Sequence, residues 1–158
     1  MINNLNEAIS EVESLRDSNR LEESIDLLQQ VLEQQPDWEH GDGWYDLSCM
    51  LSQVGKNQEA IECIERALTH QSGHPVFKIH LVDLLSKYGD ADIAFQTFLE
   101  EVRLNSTIYS DPSYYGPRNE ALRLMSQILA RKLISASEAK SRLVEVCPAA
   151  ADLWSELA

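Results

Sequence analysis

Apolar residues in this chain recur at helical spacing, and the whole pattern then repeats. Leu5, Ala8, Val12 and Leu15 stand three or four places apart, which puts them on one face of an α-helix. A second stripe, Leu21, Ile25, Leu28, Val31 and Leu32, runs to Pro36, and Asn19 followed by Glu22 reads as a capping-box start for it. Residues 37–43 carry two glycines and read as a turn. A second pair of stripes follows: Leu47, Leu51 and Val54 from Trp44 onward, then Ala60, Ile61, Ile64, Ala67 and Leu68 after Gly55. The third pair opens at Pro75, a favoured first helical residue. It carries Phe77, Leu81, Leu84, Leu85 and Tyr88, then Ala94, Phe95, Phe98 and Val102 beyond Gly89.

Gly55, Ala60, Ile61, Ile64 and Leu68 reappear as Gly89, Ala94, Phe95, Phe98 and Val102, each 34 places on, and a fainter copy lies 36 places upstream at Asn19, Ser24, Ile25, Leu28 and Leu32. A period of this length marks a solenoid of stacked helix pairs. Each pair needs a neighbour to bury its apolar face, so the array offers a recognition surface more than a pocket for chemistry.

The period fails over 105–118, where two prolines, a glycine and the tyrosines Tyr109, Tyr114 and Tyr115 predict a long loop. A degenerate fourth pair is expected over 119–147, its second helix opened by the capping box Ser135 to Glu138. A short capping helix over 149–158 carries Leu153, Trp154 and Leu157. The expectation is one all-α domain with repeats at about 5–38, 41–74 and 75–108.

Trp44, Leu47, Gly55, Ala60, Ala67 and Leu68, with small residues where two helices cross, resemble the tetratricopeptide repeat (TPR). In the third unit Lys78 stands where the family usually has an aromatic and Glu101 where it has a small residue. The resemblance implies a right-handed superhelix of antiparallel helix pairs whose first helices line a concave groove for protein segments, and it implies a non-enzymatic role. Carried onto this sequence, the groove positions are Glu13, Arg16 and Asp17 in the first unit. In the second they are Asp42, Tyr45, Asp46, Cys49 and Gln53, and in the third Val76, Ile79, His80, Asp83 and Lys87. The Lys, Asn and Arg set with which some relatives clamp a partner's C-terminal carboxylate is absent from these positions.

Charge sharpens the partner. The chain of 158 residues has a net charge of −13, which argues against nucleic acid and anionic membrane surfaces. The excess lies toward the N-terminus: residues 1–38 hold nine acids and two bases, whereas residues 109–158 hold six of each. A basic or amphipathic segment of another protein, its apolar side on Tyr45 and Ile79 and its cations near the acids, is the expected partner, with a dedicated chaperone or antidote as the fitting role. The alternative is homo-oligomerisation, a homodimer held through Leu153, Trp154 and Leu157.

Three widely spaced cysteines, Cys49, Cys63 and Cys147, read as free thiols of a reducing compartment. Residues 1–7 lack the basic and apolar regions of a secretory leader; the expected location is cytoplasmic. Neither metal nor cofactor is expected. The acids of 37–43 lack the ligand positions of a calcium loop. His70 and His74, with Cys63 and His80 nearby, are separated by Ser72-Gly73, which breaks the helix that would align them. A Cys49 thiol paired with His80 is the one nucleophilic arrangement conceivable.

Overall fold

The computed structural model describes residues 4–131 and 133–157. Met1, Ile2 and Asn3, on which the leader reading partly rests, lie outside the described residues, as do Lys132 and the terminal Ala158 of the expected capping helix. Among the described residues the fold is all-helical, and the chain divides into two compact units, one ending at Phe77 and the other beginning at Lys78.

The first unit holds α1 (Leu5–Asp17), α2 (Leu21–Gln34), α3 (Asp42–Gln53) and α4 (Asn57–His70), with consecutive helices packed on one another. Ala8, Val12 and Leu15 of α1 face Ile25, Leu28, Val31 and Leu32 of α2, all buried. Asn19 does not cap α2. Its φ of 58° makes it the left-handed residue that closes α1, with the Arg20 N–H on the Leu15 carbonyl at 2.9 Å. Gly55, φ 82°, closes α3 in the same way, with the Lys56 N–H on Leu51 at 2.9 Å. Asparagine is the side chain that best tolerates this backbone after glycine.

Between α2 and α3 a short 3-10 turn, Trp38–Gly41, replaces part of the expected irregular segment, and α3 starts two residues before Trp44. Glu39, His40 and Gly41 are all left-handed. A Cβ on Gly41 would sit 2.8 Å from the Ala67 carbonyl oxygen, so this glycine lets the turn lie against α4. Gln71 closes the turn by donating to the His40 carbonyl at 2.9 Å.

The division between the units falls within α5 (Pro75–Tyr88); the second unit continues with α6 (Ala91–Leu104), α7 (Ser106–Ser110), α8 (Tyr115–Ala130), α9 (Ala136–Val146) and α10 (Ala151–Trp154). The loop expected over 105–118 is mostly helix. Pro117 falls in the first turn of α8, where a missing N–H breaks no helical bond. Apart from Asn105, only Asp111–Tyr114 is a turn, with Asp111 Oδ1 accepting the Ser113 N–H at 2.8 Å. The Ser135 hydroxyl caps α9 by accepting the Glu138 N–H at 3.1 Å.

Two rule-breaking residues explain why α7 exists. Glu101, fully buried, accepts the Tyr109 hydroxyl at 3.2 Å and the Asn105 amide at 3.0 Å, and so pins α7 to the end of α6. Lys78, also buried, pairs with Glu100 at 3.4 Å and attracts Glu101. The two departures from the family pattern thus partly neutralise each other. Arg118 completes the junction, donating to the Tyr109 carbonyl and, at 2.7 Å, to Asp152.

Candidate functional site

Several of the positions expected on α1 and α3 lie near Asp46. The Arg16 guanidinium of α1 lies 3.9 Å from Asp46 of α3. Tyr45, one residue earlier, stacks on Phe77 with centroids 5.3 Å apart, and Phe77 stacks in turn on His74 at 4.0 Å. One helical turn beyond Tyr45, Cys49 is half-buried and hydrogen-bonded to the Tyr45 hydroxyl. Glu13, Asp17 and Asp42 are exposed.

Electrostatics set the character of this face. Burial pushes the Asp46 carboxyl upward; Arg16 opposes this, while Asp42, Glu39 and Glu13 add to it. A half-buried carboxylate thus sits in the negative field of its neighbours with one distant cation as relief. Burial also pushes the Tyr45 hydroxyl up to about 12, so it remains a neutral hydrogen-bonding group. The Cys49 thiol is raised as well, mainly by burial, the opposite of what an activated nucleophile requires.

Of the positions expected from α5, Val76 is exposed and belongs to the first unit, and Ile79, His80, Asp83 and Lys87 belong to the second. Ile79 and His80 are half-buried, and burial lowers the pKa of His80. Asp83 is not an open acid. It accepts from Lys87 Nζ and Arg123 Nη2, each at 2.8 Å, and from Gln127 Nε2 at 3.2 Å. Those three donors hold its carboxyl below the ordinary carboxylate range against the upward push of burial.

The proposed self-association stripe needs a larger correction. Leu153, Trp154 and Leu157 are 2%, 0% and 4% exposed. Trp154 meets Phe98 edge-on at 6.1 Å and lies 6.2 Å from Tyr109. These residues fill the core of their own unit.

Among the described residues no three His, Cys, Asp or Glu side chains gather as a metal site, and no helix is long and apolar enough to cross a membrane. Cys49, Cys63 and Cys147 are free thiols, and burial pushes Cys63 up to about 11. Sequence reading missed the Glu101, Tyr109 and Arg118 junction, although an acid inside the stripe Ala94, Phe98 and Val102 was its signal.

The span from Gly41 to Gln71, closed on itself by the His40 to Gln71 bond, is the segment that the tetratricopeptide repeat profile matches, residues 41–71. That match covers one helix pair of the chain. No curated protein matches its sequence significantly. Its fold is similar to the type III secretion translocator chaperone SycD of Yersinia enterocolitica, at 16% identity and a TM-score of 0.63, over 85% of this chain and 98% of that one. YrrB, described as a TPR protein with an unusual peptide-binding site, matches at 17% identity and 0.54, over 94% and 86% of the two chains. The O-GlcNAc transferase of Thermobaculum terrenum matches at 13% and 0.61, over 90% of this chain and 25% of its own, so this chain spans about a quarter of that enzyme. Identities this low establish likeness of fold.

Proposed function

We propose that this protein is a protein-interaction module whose first unit receives a basic or amphipathic segment of a partner on the α1 and α3 face. Asp46 carries the reading. Its carboxylate is half-buried, repelled by Asp42, Glu39 and Glu13, and faced by Arg16 only at 3.9 Å. A lysine or arginine brought there would relieve that repulsion, and the half-buried Tyr45 ring beside it, held by its stack on the buried Phe77, offers apolar area for the rest of the segment. Complementarity of this kind favours fast, specific encounter over raw affinity. The likeness in fold to a secretion chaperone and to a peptide-binding TPR protein supports a dedicated chaperone or antidote that masks such a segment.

The test is capture from the native lysate at low and high salt, with wild type beside Tyr45→Ala/Asp46→Lys. The expected result is a basic partner retained at low salt, released at high salt and lost with the double variant. A partner that resists salt and ignores both substitutions would overturn the reading, because exposed charge contacts weaken as screening shortens.

A further inference from the structure

Asp46 already has a cation of its own. Arg16, in the last turn of α1, brings Nη1 to 3.9 Å from Asp46 Oδ2, too far for a hydrogen bond. Both side chains stand in water, at 40% and 45% exposure. The Cys49 thiol, raised mainly by burial, also feels the Arg16 charge as an opposing pull, which places the guanidinium beside Asp46 and Cys49 together.

Two other cations of the first unit are committed elsewhere. Arg20 Nε donates to Glu23 at 2.7 Å, and the Arg66 guanidinium lies over the Trp44 ring, 4.8 Å from its centroid. Among the described residues Arg16 has no anchor shorter than its approach to Asp46. An exposed pair of this length is weak and readily exchanged.

We propose that Arg16 is the internal counter-ion of the docking face, which shares the charge of Asp46 in the free protein and gives way when a partner's lysine or arginine arrives. The inference rests on the reading of the α1 and α3 face given above. Arg16 then acts on selectivity more than on strength. An isolated ammonium gains little over the guanidinium already present, whereas a segment that adds apolar contact with the Tyr45 ring outcompetes it.

The probe is a short blocked peptide of leucine and lysine, titrated at low salt into the isotopically labelled full chain and followed by NMR at the Tyr45 and Asp46 amides. Arg16→Gln should tighten binding roughly twofold to fivefold, Arg16→Lys should stay near wild type, and the gain should vanish at high salt. Arg103→Gln in α6 removes the same charge from an exposed residue that forms no ion pair among the described residues, and should leave the affinity unchanged. Without peptide, the Asp46 carboxyl should titrate higher in Arg16→Gln than in wild type, because an attracting cation is gone. Unchanged or weaker binding by Arg16→Gln, an equal gain with Arg103→Gln, or an unmoved Asp46 titration would each overturn the inference. A peptide that binds wild type, Asp46→Lys and Arg16→Gln alike would remove the docking reading itself, whereas one released by Asp46→Lys yet indifferent to Arg16→Gln would remove only the role of Arg16.

Discussion

Ser24 and Ser48 close the same helix crossing in successive repeats from opposite sides. Ser24 on α2 donates to the Val12 carbonyl of α1 at 2.9 Å, and Ser48 on α3 donates to the Ala60 carbonyl of α4 at 2.7 Å. A shift of 36 carries Val12 onto Ser48 and Ser24 onto Ala60. The hydroxyl has changed helix while the bond across the crossing remains. Both serines are fully buried. A side chain larger than serine would force the helices apart. Ser24→Ala should therefore cost at most about 1 kcal/mol, and Ser24→Leu about 1–3 kcal/mol from overpacking. Urea unfolding measures both; a neutral Ser24→Leu would mean that the crossing is loosely packed.

Gly55 and Gly41 separate two costs of a left-handed backbone. A Cβ on Gly55 meets nothing within 4 Å, so Gly55→Ala should lose only the conformational term, about 1–2 kcal/mol. Gly41→Ala adds the collision with the Ala67 carbonyl, and its thermal midpoint should fall further. Equal losses at the two positions would show that α4 yields freely to the turn.

Asp83 predicts part of the acid limb of stability. Its carboxyl titrates below the ordinary value of 3.8 in the folded chain. The unfolded chain therefore binds the proton first, and the stabilisation is complete above that value and lost as pH falls through the folded one. Asp83→Asn should lower stability at neutral pH by about 1–2 kcal/mol, since Lys87 and Arg123 lose a charged acceptor. It should also flatten the decline below pH 3.8. An acid limb of unchanged slope would assign that decline to other carboxylates.

Trp154→Ala should cost about 3–5 kcal/mol through the cavity it opens beside Phe98 and Tyr109. Sedimentation should find no change in association state for the variant that stays folded. Tyr109→Phe, which takes one donor from the buried Glu101, should cost about 1–3 kcal/mol. A Trp154→Ala variant of native stability would mean that α10 does not cover a core at all.

Much of the architecture could be read from side-chain spacing. Apolar stripes three and four apart specify amphipathic helices, and the repeat from Gly55 to Gly89 specifies that pairs of them stack. Pro75 and Ser135 mark helix starts through backbone chemistry confined to a single turn. The Asn19 error came from the same local chemistry, because asparagine serves both as a helix start and as a left-handed helix stop, and the Leu15 to Arg20 bond selects the latter.

The candidate site was only half legible. Tyr45, Asp46 and Cys49 belong to one helical face, and their spacing placed them together. Asp83 looked equally open in sequence, yet Arg123, forty residues later, consumes it.

By itself the sequence determined the helices, their pairing and the acidic excess of the N-terminal half, because those follow from periodicity within a few residues and from counting charge. Tertiary structure decided that 105–118 is mostly helical, that Trp154 is core and that Asp83 is held by three donors. Each of those outcomes depends on groups far apart in the chain meeting at hydrogen-bond or van der Waals distance, and local spacing holds no record of such meetings.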